Sequence, residues 1–435
     1  MIVWIKDLQS NWLSWLAISI TMLVSSASCS LAISMISAGG NDAIPLGGTI
    51  LGMSICAIVL VTFSQMRLTI EEHQPIYQSW RMVGMPGWMI NLLILGQVAI
   101  VSAAASLIGA QLIRPALNPA VEALRGDGIP MPDLSVDASV VMWVVLVCGG
   151  AAIAGALLPL RQVFRPQADA HPLWITVRSV VAAVAIAGCG IGGAYIEKTG
   201  DVLTWAMGMS ILIPLLLPWL LPFLDQWTRV LGIAGANVRV RRKFSSPHIV
   251  PWVLFGGLII SVGSGLRVIK DAEPGSTVSA WQVFVVVLGP VLAPSIVGAV
   301  MTSLIMHARI KRDIHGLRLA GAPSRSWILI QIGEAFALTG TAAMVVLVFT
   351  VLTVGIVNSH LTGFVSFHGI WWTAFASTFA AMFLALCGVK LAVATIRTTG
   401  DHFSRCVRPT STSVQPHYRV NQTNLTAKDN DFHIG

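Results

Sequence analysis

The sequence predicts an all-α polytopic membrane protein, and three observations carry that prediction. Only 11% of its 435 residues are Asp, Glu, Lys or Arg and 55% are apolar, against roughly 25% charged in an ordinary soluble domain. Mean hydropathy is +0.77. Charge-poor apolar runs of about 20 residues recur from one end of the chain to the other, the length needed to cross the hydrocarbon core of a bilayer. In hydrocarbon no water satisfies an open backbone, so such runs are helices. A soluble globular enzyme is excluded.

Ten spans are expected, near 12–36, 44–66, 89–111, 138–160, 175–196, 203–224, 249–268, 281–306, 326–356 and 370–396. The first run exceeds the 7–15 residues of a signal-peptide core and a second span follows at once, so it reads as a retained helix. Ser26-Ala27-Ser28-Cys29 lacks the Leu of a lipoprotein cleavage site. The ninth run is long enough to include a turn outside the membrane before the span itself. An even number of spans puts both termini on one side. With that side inside, 22 of the 27 basic residues fall in inner segments, Lys390 among them, and only Arg114, Arg125, Lys198, Arg267 and Lys270 fall outside. The positive-inside rule then sets both termini in the cytoplasm of a plasma membrane. A bacterial cell is the expected setting.

The net charge of +8 is therefore topology, and no nucleic acid is implied. The basic run Arg239-Val240-Arg241-Arg242-Lys243 stands at a span's mouth and not on a soluble module interleaved with aromatics. Five of six cysteines lie singly within spans, where Cys acts as a small apolar side chain. No CxxC or Cys/His pair supports a metal site or a disulfide framework.

The chain repeats itself. Arg81-Met82-Val83-Gly84-Met85-Pro86-Gly87 matches Arg318-Leu319-Ala320-Gly321-Ala322-Pro323-Ser324 at an offset of 237 residues, and the ungapped register continues through Leu92/Leu329, Gly96/Gly333 and Gln97/Glu334. Hydropathy groups the spans as 4 + 2 + 4. The regions are a first block over 1–166, a connector over 167–248, a second block over 249–397 and a polar, disordered cytoplasmic tail over 398–435. Within each block a polar helix-forming stretch, 71–80 or 309–317, meets a Gly-x-Pro break and then an apolar helix. Gly admits the left-handed turn that ends one helix, and Pro suits the first turn of the next.

A basic helix, Leu-Arg-x-x-Gly-Ala, and a span with an acidic residue one or two turns inside resemble the FtsX-like permease domain of ABC transporters. Residues 307–325 carry the fuller signature, with Glu334 where that family has its Glu. The first copy is weaker, with Gln97 for the Glu and Trp80 for the Leu before Arg81. Leu158-Pro159-Leu160-Arg161-Gln162-Val163-Phe164-Arg165-Pro166 is similar to the domain's basic exit. The resemblance implies that Arg81, Gly84, Pro86, Arg309, Arg312, Arg318, Gly321 and Pro323 couple to an ATPase. It departs from relatives with a large outer domain, because the longest outer segment, 112–137, is too short for an independent core.

No Gly-x-x-x-x-Gly-Lys-Ser/Thr loop occurs, so no nucleotide is held in the P-loop manner. The chain itself is expected to bind no cofactor and to be no enzyme. ATP and Mg would sit on a separate ABC ATPase, two copies per permease chain. Glu334 is the one carboxylate expected within a span, which makes it a functional candidate; a snorkelling interfacial residue is its bland alternative. Gln97 is its neutral counterpart. In the connector Gly188 and Gly192 form a GxxxG face, and Pro214, Pro218 and Pro222 recur along one helix side, as a hinge or as static irregular packing.

The function these readings converge on is a permease subunit exporting or extracting an amphipathic or lipid-like substrate taken from membrane lipid. The alternatives are an ATPase-driven signal transmitter to a cell-surface partner and an ion-coupled secondary transporter, which would need intramembrane charges at the midplane.

Overall fold

The computed structural model describes residues 12–40, 43–126, 131–164, 184, 208, 210, 226–240, 242–272, 280–306, 321, 323–362 and 369–406. Its regular structure there is helical, with no strand among the described residues. Among the described residues eight helices are long and apolar enough to cross a membrane: Ser14–Ala38, Ala43–Met82, Gly87–Leu112, Ala138–Leu157, Pro247–Val268, Val287–Ile305, Ser326–Ser359 and Trp372–Ala392. They match eight of the predicted spans. The other two, 175–196 and 203–224, fall almost wholly outside the described residues, and Gly188, Gly192, Pro214, Pro218 and Pro222 with them.

Helix α1 (Trp12–Ala38) is rich in Ser and Thr yet stable in an apolar setting, because its hydroxyls turn back on its own carbonyls. Ser19 donates to the Trp15 carbonyl at 2.8 Å, Thr21 to Ala17 at 2.9 Å and Ser25 to Thr21 at 2.7 Å. What remains outward is a surface of small side chains, which lets a neighbouring backbone come close. Helix α3 (Gly87–Leu112) does so. A Cβ placed on Gly109 would stand 2.2 Å from the Leu23 carbonyl oxygen of α1, and Ser30 donates to the Ala110 carbonyl at 3.3 Å.

Helix α2 (Ala43–Met82) runs unbroken for 40 residues, about 60 Å at 1.5 Å per residue. The sequence suggests a separate short cytoplasmic helix after residue 70; instead the span simply continues. Pro75 removes one backbone donor, and flanking Glu and Gln are good helix formers. Arg67 bridges to Glu71 at 3.2 Å one turn on. Although consecutive, α2 and α3 make little contact, while α1 and α5 (Ala138–Phe164) each touch both. The turn after α2 therefore joins two helices that are not packed neighbours.

The segment predicted as a coreless loop after α3 contains helix α4 (Arg114–Gly126). It is amphipathic and borrows the bundle's core: Leu117, Val121 and Leu124 are buried on it. Arg125 pairs with Asp133 at 2.8 Å, and Arg114 donates to the Val136 carbonyl at 3.0 Å.

The second half begins with a 3-10 turn, Thr228–Leu231, and helix α6 (Gly232–Val240). Helix α7 (Arg242–Gly257), a π segment Leu258–Val262 and α8 (Gly263–Ala272) together make one span. Then come α9 (Ala280–Ile305), α10 (Ser324–Thr362) and α11 (Trp372–Cys406). Residues to Ala394 form one compact unit, and those from Thr395 a separate one. The tail expected to be disordered from 398 is helical as far as Cys406.

The 237-residue register reaches the helix boundaries. α3 starts at Gly87 and α10 at Ser324, each directly after a proline. The packing repeats as well: α1 meets α2 and α3, and its counterpart α7 meets α9 and α10.

Candidate functional site

Two features stand out among the described residues. The first is the pair of re-entry turns. After α2, Gly84 adopts φ 96°, the amide of Met85 donates to the Trp80 carbonyl and that of Gly84 to the Arg81 carbonyl, both at 3.0 Å. This is a Schellman cap, with Trp80 and Met85 as its apolar partners. Pro86 then starts α3, and the Met89 amide donates to the Pro86 carbonyl at 3.0 Å. In the second copy Gly321 has φ 78° and the Ser326 amide donates to the Pro323 carbonyl, again at 3.0 Å. The left-handed glycine and the amide bond to the proline carbonyl thus recur at positions 237 residues apart. Arg81, Gly84, Pro86, Gly321 and Pro323 are exposed, as are Met82 and Val83 at the tip of the first turn. Arg309, Arg312 and Arg318 lie outside the described residues.

The second feature is a polar knot around Glu334. Its Oε2 accepts from Lys390 Nζ of α11 at 2.8 Å, and its Oε1 accepts from Asn237 Nδ2 of α6 at 2.5 Å. Lys390 is buried. It is therefore not the loop cation its place at the end of an apolar run predicts. A charged amine can be enclosed there because a carboxylate faces it. Beside it, His248 of α7 shares a 2.8 Å hydrogen bond with Ser303 of α9.

By length and composition His248, Ser303, Glu334 and Lys390 each fall within a helix able to cross a membrane: Pro247–Val268, Val287–Ile305, Ser326–Ser359 and Trp372–Ala392. Glu334 is tied into a triad and does not snorkel freely.

Helix α6 runs antiparallel along α10 and delivers Asn237. A Cβ on Gly333 would come 2.6 Å from Ala234, and one on Gly340 2.8 Å from the Trp227 ring, whose Nε1 donates to Thr341 Oγ1 at 3.2 Å. The two contacts, Ala234 on α6 and Trp227 just before the 3-10 turn, hold that segment along α10. Across α10, Phe336 meets Phe383 of α11 edge-on at 6.2 Å.

Among the described residues the first block holds no carboxylate–lysine pair at the equivalent place. Gln97 is fully buried on α3 at the position equivalent to Glu334. The stretch of α5 that corresponds to Lys390, whether aligned by the 237 offset or by helix starts, is Ile153-Ala154-Gly155-Ala156. The acid and its base are present together in one copy and replaced together in the other. Sequence reading found Glu334 but missed Lys390 and Asn237. Comparing α5 with α11 for a cation present in one copy only would have flagged Lys390.

The π segment in the α7–α8 span frees a carbonyl, and Ser210 donates to the Gly257 carbonyl at 3.1 Å. Among the described residues no cluster of His, Cys, Asp or Glu is arranged to hold a metal. No family model, no curated protein and no solved structure matches the chain.

Proposed function

We propose that the chain is the membrane-spanning permease subunit of an ABC transporter, driven by ATP hydrolysis in a separate subunit. The observation that carries the reading is the duplicated re-entry turn: Gly84 and Gly321 both take the left-handed conformation at one offset, each two residues before a proline that leads directly into a span. A pair of equivalent rigid turns at one membrane face suits a pair of equivalent soluble subunits, and exposed Arg81, Met82 and Val83 offer both charge and apolar surface. The FtsX-like signature in residues 307–325 supports it. The ion-coupled alternative wants ionisable groups open to an exchanging ion, whereas Glu334 and Lys390 are closed on each other at 2.8 Å. The substrate class that fits is an amphipathic or lipid-like molecule drawn from the bilayer, since α4 is a small cap and no large outer domain is read between spans.

The test is phosphate release. The purified chain alone is expected to hydrolyse no ATP, and a P-loop ATPase is expected to co-purify with it and to lose affinity when Gly84→Val and Gly321→Val distort the turns. Robust hydrolysis by the chain alone, or undiminished ATPase association in the double variant, would overturn the assignment.

A further inference from the structure

The same 237-residue offset identifies where the two blocks meet. A Cβ on Gly298 of α9 would lie 2.3 Å from Val61 Cγ1 and 3.3 Å from Val61 Cβ on α2. Val61 and Gly298 are equivalent positions of the repeat. So are Leu68 and Ile305, which share one buried cluster with Ala17. A residue can approach its own counterpart only near a twofold axis, so these two pairs mark a pseudo-twofold axis running between α2 and α9. The pairs are seven residues apart on both helices, the spacing at which like positions face like in a parallel helix pair. The flanking contacts are mates under the same operation: α9 against α1 on one side, α2 against α7 on the other.

The forces on the two sides of this seam differ. The interhelical hydrogen bonds described above join helices of one block or bind the connector to the second: Ser30 to Ala110, Glu334 to Lys390 and Asn237, His248 to Ser303. Ser261 to Thr350 and Gln65 to Thr21 follow suit. Across the seam between 61 and 68 on α2 and 298 and 305 on α9 the contacts among the described residues are Val61 on Gly298 and the apolar group of Ala17, Leu68 and Ile305, joined by Leu254, Leu258, Val287 and Val291 of the second block in a core continuous with the first. Directional bonds resist sliding, whereas apolar contacts keep their energy over small displacements. Gly298 brings the two backbones close where the axis passes, so relative motion is smallest there.

We propose that the α2–α9 seam is the pivot about which the two four-helix blocks move as rigid bodies, staying closed while the α1–α9 and α2–α7 flanks slide. This goes beyond the transport reading and does not depend on it, since it concerns motion intrinsic to the chain.

The experiment uses the purified full chain in lipid nanodiscs, with native cysteines replaced by Ala. Val61→Cys/Gly298→Cys and Leu68→Cys/Ile305→Cys are oxidised, with Ala17→Cys/Ile305→Cys as the flank cross-link. The Cβ separation at Val61/Gly298 is close to the ~3.5–4.5 Å a disulfide needs. Spin labels on non-natural side chains at exposed positions 146 (α5) and 384 (α11) report the distance between blocks. Both seam pairs are expected to oxidise in the majority of molecules and to leave a broad inter-block distance distribution unchanged, while the flank disulfide narrows it. Poor seam oxidation, equal narrowing by seam and flank, or a single narrow distribution before any cross-link would each overturn the pivot. None of these readouts involves ATP, so the proposal can fail while the permease assignment stands, or the reverse.

Discussion

Glu334→Gln makes the second block's acid position resemble the first block's, and its consequence can be worked from the triad. The Gln amide oxygen can still accept from Asn237, so that contact survives in form. What is lost is the carboxylate 2.8 Å from Lys390 Nζ, an ammonium whose side chain is 6% exposed. Removing one partner of a buried ion pair strands the other charge, at a cost of about 3–5 kcal/mol. Lys390→Ile strands Glu334 instead, with a comparable loss. The double variant Glu334→Gln/Lys390→Ile carries the first block's pairing of Gln with an apolar residue, and replacing both charges is near neutral or stabilising by up to ~4 kcal/mol. The two single effects should therefore be strongly non-additive. The assay is the denaturation midpoint of purified protein in detergent across the four-member cycle. A coupling below ~0.5 kcal/mol, the scatter of independent sites, would refute the claim that Lys390 is held by Glu334. Transport in the double variant then separates roles: full stability with lost transport makes the pair mechanistic, and full stability with full transport makes it structural.

Three further outcomes follow from the packing. Gly109→Ala drives a methyl into the Leu23 carbonyl of α1 and should destabilise by about 1–3 kcal/mol, whereas Gly96→Ala meets nothing within 4 Å and should gain up to ~1 kcal/mol of helix propensity; a thermal-shift comparison that ranks them the other way would contradict the α1–α3 contact. Val61→Gly and Gly298→Val should each destabilise, the first by a cavity and the second by overpacking of about 1–3 kcal/mol, and the interchanged double variant should recover at least half the summed loss; additive losses would count against a twofold seam. Cysteine at exposed Ser79 should resist impermeant thiol reagents in intact cells while one at exposed Asn118 labels, and the opposite pattern would invert the membrane orientation.

The chain's own sequence determined its class and most of its helix boundaries, because hydrocarbon imposes a strong local rule: a run of apolar residues either spans or fails, whatever its neighbours. The repeat was legible for a similar reason, since Gly84 and Gly321 answer a local backbone need that only a residue without a Cβ meets cheaply at φ 96° and 78°. The continuity of α2 through Pro75 was not legible, because a proline's effect depends on whether water can serve the carbonyl it frees. Nor was the triad: Lys390 is 56 residues from Glu334 and Asn237 is 97, and hydropathy assigns a lysine near the end of an apolar run to water. Whether that charge is solvated or enclosed is decided by which helices stand beside it. The same holds for Val61 and Gly298, two unremarked apolar positions until α2 and α9 meet. Burial in a bilayer is a property of each segment and can be read along the chain, whereas contact between segments follows from the shapes of several helices at once and exists only in the tertiary structure.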